Sequence, residues 1–200
     1  MNQTKPVVAA FDFDGTITTR DTFVPFLALA FGRVRVGLAF ASLAGEALKV
    51  VLKRSDRDRF KARIIGSLFP GRSVPPLRRL GDAHARAVEA LFRPAALEKI
   101  AWHRSQGHRL VMVSASLDLY LEPVAARLGF DDLLCTKPAG NSLLFDGGMD
   151  GANCRGPEKV RRLEGLLGDL AQYELHAYGD SAGDREMLEV ADVPHYRPFE

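Results

Sequence analysis

Apolar positions along the chain fall into two regimes: short unbroken runs set far apart, and longer stretches with helical periodicity between them. Val7-Val8-Ala9-Ala10, Leu110-Val111-Met112-Val113 and Leu175-His176-Ala177-Tyr178 are too short for helices and read as buried strands of a parallel sheet. From Asp21 to Arg93 the pattern is almost entirely helical. It predicts a first helix to Phe31, a second from Val34 to Leu52, a charged third from Asp56 to Leu68 and a fourth from Val74 to Phe92. Pro94 opens a further helix over Ala95 to Gln106, stopped by Gly107, and another is expected from Leu117 to Leu128. A hairpin follows, with Asp146-Gly147-Gly148 as its turn between Leu143-Leu144-Phe145 and Met149.

Strands alternating with helices imply an α/β fold, a three-layer sandwich around a mostly parallel sheet. The interval between the first two strands far exceeds one crossover. The expected organisation is therefore a core of residues 1–18 and 95–200 with an all-helical insertion over 19–94.

Candidate chemistry sits at the strand ends, where parallel sheets bind ligands. The first strand runs into Phe11-Asp12-Phe13-Asp14-Gly15-Thr16, two carboxylates at one sheet edge. The second ends in Ser114-Ala115-Ser116, a hydroxyl with small residues whose amides an anion can approach. Gly156-Pro157 opens a helix and puts Lys159 in its first turn, and Gly179 to Asp184 forms an acidic loop carrying Asp180 and Asp184. Taken singly, each has a structural reading: Ser114 as a helix cap, Lys159 as a solvated helix lysine, Asp180 and Asp184 as turn and helix-start acids. None of these explains the ordered set.

The set FDFDGT, VSAS, GPEK and YGDSAGDREML resembles the four motifs of the haloacid dehalogenase superfamily, in the branch that contains the phosphoserine phosphatases. The resemblance implies a phosphomonoester hydrolase with Asp12 as nucleophile and Asp14 as general acid and base. It also implies Mg²⁺, held by Asp12, Asp180 and the main-chain carbonyl of Asp14 with support from Asp184. Ser114, the Ala115 amide and Lys159 would hold the phosphoryl oxygens. A cation and a lysine are what a carboxylate nucleophile requires when it attacks an anionic phosphate. A non-catalytic aspartyl-phosphate switch is the alternative of another class; it has no use for an acid at Asp14.

Substrate choice is expected to reside in the helical insertion, which resembles the family's cap. Asp21 and Arg63 fall near the cap positions that read the amine and carboxylate of phosphoserine, although Asp21 is also a natural N-cap and Arg63 an ordinary helix-face charge. The stretch Cys154 to Val160 also looks similar to the lysine motif of phosphatases acting on phosphatidylglycerophosphate, so a lipid substrate is the second expectation.

Net charge is only +2 and the basic residues are mostly scattered, which argues against a nucleic-acid partner. Two unpatterned cysteines and a strand within ten residues of the start point to a cytoplasmic protein without a secretory signal. The uncharged run Gly37 to Gly45 is too short to span a bilayer, yet beside the basic stretch Lys53 to Arg63 it raises peripheral membrane contact.

Overall fold

The computed structural model describes residues 5–43 and 57–200. Five parallel strands form one sheet in the order β3-β2-β1-β6-β7: β1 (Val7–Phe11), β2 (Arg109–Leu117), β3 (Asp132–Thr136), β6 (Glu174–Gly179) and β7 (Val193–Tyr196). Phe11, the last residue of β1, lies level with Met112 of β2 on one side and Tyr178 of β6 on the other; β6 ends one residue later and β2 runs on past them to Leu117. Strand order reverses between β1 and β6, and the crevice at such a switch point is where open α/β sheets hold ligands.

Alternation along the strands explains the layers, because successive side chains point to opposite faces. Val8 and Ala10 join Val111, Val113, Leu175 and Ala177 beneath Leu163 and Met187, which belong to α7 (Pro157–Leu167) and α8 (Arg185–Glu189). Ala9 and Phe11 face the other way, against Ile100 of α5 (Pro94–Ser105) and Leu121 and Val124 of α6 (Asp118–Leu128). The fold is the three-layer α/β sandwich that the sequence implies.

Between β1 and β2 the chain leaves the sheet and builds α1 (Phe23–Phe31), α2 (Arg33–Ser42), α3 (Arg57–Leu68) and α4 (Val74–Val88), the last followed by a single 3₁₀ turn over Glu89–Leu91. The remainder of the expected second helix, residues 44–52, lies outside the described residues, as do Lys53 and Arg54. Exit and return strands pair with each other. Thr19 N donates to Leu91 O at 2.9 Å and Arg93 N to Ile17 O at 2.8 Å, making a two-stranded neck beneath the helices. The helices do not form a core of their own, since Phe26, Ile64, Ile65, Leu68 and Leu77 belong to the same hydrophobic cluster as Phe11 and Met112.

Two sequence expectations need correction. Phe145–Met149 is a single strand, β5, paired antiparallel with β4 (Pro138–Gly140); the turn lies at Asn141 to Leu144, not at Asp146-Gly147-Gly148. Asn141 decides this, because its Oδ1 accepts the amides of Leu143 and Leu144 at 2.8 and 2.9 Å and so builds the turn from its side chain. The hairpin docks on the helical insertion through Gly71 N to Phe145 O, Phe145 N to Arg72 O and Val74 N to Leu143 O. The second correction concerns β2, which continues through Leu117 instead of stopping at Val113, so Ser114 is a strand residue and not a helix cap.

α4 crosses α6 at a backbone contact, and Gly81 is the residue that permits it. A Cβ at Gly81 would lie 2.0 Å from the Leu119 carbonyl oxygen. Gly81→Ala gains about 1 kcal/mol of helix propensity, but pushing two backbones apart costs more, roughly 1–3 kcal/mol. Thermal unfolding should show a lower midpoint for Gly81→Ala. Gly165→Ala in α7, where a Cβ meets nothing within 4 Å, should raise it. Equal midpoints for wild type and Gly81→Ala would contradict the close crossing.

Candidate active site

The carboxyl ends of β1, β2 and β6 open into a cleft of about 410 Å³ whose walls include Asp12, Asp14, Ser114, Ala115, Lys159, Asp180 and Asp184. Every motif residue singled out at a strand end or helix start therefore meets in one place. Local structure explains how. After Asp12, whose amide donates to Tyr178 O at 2.9 Å, the chain makes one wide turn over Phe13–Ile17. Gly15 adopts φ +85°, and a Cβ there would sit 2.4 Å from Asp180 Oδ2. Glycine is needed twice over, for its left-handed backbone and for the approach of Asp180. Thr16 completes the contact, its Oγ1 donating to Asp12 Oδ2 at 3.2 Å and reaching Asp180 Oδ1 at 3.5 Å.

Ser114 to Ser116 lie in a register shift of β2: Ser114 pairs with Cys135, but Leu117 pairs with Thr136. Bulges of this kind bend a strand out of its ladder and are common beside active sites. Here the bulge turns Ser114, Ala115 and Ser116 toward the cleft, and Ser116 N donates to Ser114 Oγ at 3.1 Å.

Lys159 is 1% exposed, and its ammonium donates to Asp12 Oδ1 at 2.6 Å, Asp184 Oδ1 at 2.6 Å and Val113 O at 2.7 Å. All three protons are engaged, so Lys159 is not the solvated helix lysine its neighbours Arg161 and Glu164 suggest. Burial alone would lower its pKa; the charges of Asp12 and Asp184 outweigh burial and raise it. Burial pushes Asp12 up more strongly than Lys159 pulls it down, and Asp184 and Asp14 add to the rise. For Asp184 burial is overcome by Lys159 and by the Ser181 hydroxyl and amide, which hold its pKa below the ordinary value. Two carboxylates thus share one ammonium, with Asp184 its ionised partner.

Asp14 stands apart from that pair. Its Oδ1 accepts the amide and hydroxyl of Thr22 at 2.8 and 2.6 Å, and its Oδ2 accepts the Ser116 hydroxyl. Burial, with the charge of Asp21, raises its pKa to about 6 against the pull of these bonds. A carboxyl so poised both gives and takes a proton near neutrality. Sequence reasoning missed Thr22 and named Ser116 only as a small residue; no local pattern links either to Asp14.

Asp12, Asp180 and Asp184 present carboxylate oxygens within 4.8 Å of one another. This oxygen-only set, two members buried and one half-buried, fits a hard divalent cation such as Mg²⁺.

At the mouth, Asp21 lines the cleft while its Oδ1 also accepts the Val24 amide in the first turn of α1. Arg63 is exposed on α3 and does not line the cleft. Lys61 takes that place. Two residues correspond to about 200° of helix rotation, and Lys61 shares the stripe of Ile64, Ile65 and Leu68, the buried face of α3. The stripe at i, i+3, i+4 and i+7 was the available signal. Lys61 donates to Ala115 O and lies 4.2 Å above the Phe23 ring. Burial lowers its pKa to about 8 against the charges of Asp14, Asp21 and Asp58. Arg20, Arg57, Arg93, Arg155 and Glu200 complete the rim.

Comparison with known proteins places this architecture. The chain is similar to protein CicA of Caulobacter vibrioides, 36% identical over 98% of this chain and 87% of the relative. It is also similar to the inhibition of morphological differentiation protein of Streptomyces azureus, 27% identical over 97% of this chain and 73% of that one. Among solved structures, a Bordetella pertussis protein described as of unknown function superposes with a TM-score of 0.82, at 22% identity over 96% of this chain and 89% of that one. A substrate-bound phosphoserine phosphatase superposes with a TM-score of 0.64, at 15% identity over 94% and 84%, which establishes a shared fold. The model of the haloacid dehalogenase-like hydrolases matches residues 9–189, from the strand before the paired aspartates to the helix after Asp184, and the chain belongs to that family.

Proposed function

We propose that this hydrolase is a Mg²⁺-dependent phosphatase that cleaves a small phosphomonoester through a phosphoryl group carried on Asp12. The observation that carries the reading is the convergence, in one cleft, of a carboxylate touching a buried lysine, a second carboxyl raised to about 6, and a three-carboxylate cation site. Asp12 attacks phosphorus, and the oxygen of the departing alcohol takes a proton from Asp14. Asp14, now ionised, removes a proton from the water that releases phosphate. Thr22 and Ser116 hold the Asp14 carboxyl between these steps. Asp12, Asp180 and the Asp14 carbonyl would hold the cation, with Asp184 in support. Mg²⁺ bound there offsets the repulsion between phosphate and the Asp12 carboxylate. Ser114 and the Ala115 amide engage the phosphoryl oxygens, and Lys159 joins them by exchanging one of its bonds to Asp12 or Asp184 for a phosphoryl oxygen.

The rim favours an anionic substrate carrying a further charged group, for which Lys61 and Asp21 offer opposite charges. A phosphoserine-like metabolite has that character, a carboxylate and an amine beside the phosphate. Phosphate release should be measured on a panel of phosphoserine, sugar phosphates, nucleotides and a dispersed lipid phosphomonoester, with Mg²⁺ and with chelator. Release is expected with Mg²⁺ and not with chelator, and highest for the amino-acid phosphate. Undiminished release in chelator would overturn the metal assignment. Preference for the lipid would replace the small-metabolite reading.

A further inference from the structure

We propose that the exposed face of α1 and α2 docks this protein on an anionic bilayer surface. The four side chains concerned are Val34, 78% exposed, Leu38 at 66%, Leu29 at 48% and Val24 at 41%. Val34 and Leu38 stand one turn apart on α2, with Ala41 also exposed on the same face, while Val36 and Ala39 are buried behind them. On α1, Val24, Pro25, Ala28 and Leu29 line one shallow depression that Arg33, the first residue of α2, completes. No single helix among the described residues is long and apolar enough to cross a membrane; α1 and α2 reach that length and apolarity only as a pair, and they meet at a bend of 117°.

Charge selects the occupant. From Thr22 to Leu43 the only charged residues are Arg33 and Arg35, both exposed, and no carboxylate interrupts the face. Protruding aliphatic side chains flanked by Arg33 and Arg35 suit a surface that accepts apolar groups just below a layer of negative charge. A second copy of the chain fits less well. Among the described residues, four partly exposed side chains fall short of the ~800 Å² per partner that a stable protein interface buries, and a bilayer needs no complementary shape. The docked helix also reaches the catalytic cleft, whose wall includes Phe23, the first residue of α1. Docking would therefore bring the mouth to the headgroup layer. This goes beyond the phosphatase reading and does not depend on it.

The test is co-sedimentation of the whole protein with vesicles of phosphatidylcholine alone and of phosphatidylcholine with about a third phosphatidylglycerol. Binding is expected to the anionic vesicles, weakening with salt. The double variant Val34→Ser, Leu38→Ser should bind at least about tenfold more weakly, and Arg33→Glu with Arg35→Glu should lose the preference for anionic lipid. Hydrolysis of p-nitrophenyl phosphate, read on the same samples, is unaffected by Val34→Ser, Leu38→Ser because neither residue lines the cleft. A failed phosphatase reading and a failed docking reading thus appear on separate readouts. The proposal is overturned if wild type does not sediment with anionic vesicles, if neutral vesicles bind it equally, or if the double variant binds as wild type does. Loss of a concentration-dependent dimer in that variant, without loss of vesicle binding, would assign the face to a second copy instead.

Discussion

Asp12→Asn should lower phosphate release by a factor on the order of 10³ or more while leaving the fold in place, since loss of a nucleophile removes the covalent route and not merely its efficiency. Retention of the fold follows from the surroundings of the residue. Asn fills the same volume, Lys159 keeps Asp184 and Val113 O as partners, and Thr16 keeps an acceptor. The Asp12 carboxylate is itself held in an environment that disfavours its charge, so a neutral amide relieves a cost. Unfolding midpoints of the two proteins, measured without divalent cation, should agree within a few degrees. Wild-type turnover by the variant would remove Asp12 from the chemistry. A long-lived phosphoprotein without phosphate release in the wild type would point instead to an aspartyl-phosphate switch.

Lys159→Met should have the largest effect on stability. It removes the one ammonium bonded to Asp12 and Asp184, which are 7% and 1% exposed, and leaves the Val113 carbonyl without its side-chain donor. Breaking a buried ion pair from one side costs about 3–5 kcal/mol because the remaining charge has no partner, which for a chain of this size is a fall of roughly 6–20 °C in the unfolding midpoint. The pH dependence distinguishes this cause from simple misfit. In the wild type the Asp184 pKa is depressed, so its contribution to stability is complete above its ordinary value and is lost as pH falls. In the variant both carboxylates are unpaired and raised, and protonation neutralises them. The deficit against wild type should therefore be largest near pH 8 and shrink toward pH 5. A deficit that does not vary with pH would mean that the methionine packs badly and that the charges are not at issue. Activity should be lost in either case.

How much of this was legible in the sequence depends on how the relevant residues relate to their neighbours in the chain. Asp12 and Ser114 follow directly on apolar runs and Asp14, Asp180 and Asp184 lie in the segments just after them, and in a parallel sheet the end of such a run is the ligand edge. Lys159 was legible as the third residue of a helix opened by Gly156-Pro157. The helical insertion announced itself through the length of chain between two strands. Its first exit and return points, by contrast, appear only as the pairing of Thr19 with Leu91 and of Arg93 with Ile17.

What the amino-acid sequence determined by itself is therefore the α/β class, the three central strands and the helices between them, and the residues at and just beyond the strand ends, because local periodicity and strand-end position are properties of contiguous residues. The edge strands β3 and β7 did not stand out. Tertiary structure decided the rest. Thr22 and Ser116 hold Asp14 across 8 and 102 positions of sequence, and no local pattern encodes such a contact. Lys61 rather than Arg63 faces the cleft because packing of Ile64, Ile65 and Leu68 sets the rotation of α3. The β4–β5 hairpin lies against the helical insertion because Asn141 moves the turn and Gly71, Arg72 and Val74 supply the matching backbone groups. In each case the deciding term is a contact between segments far apart in the chain, and it exists only once they have packed.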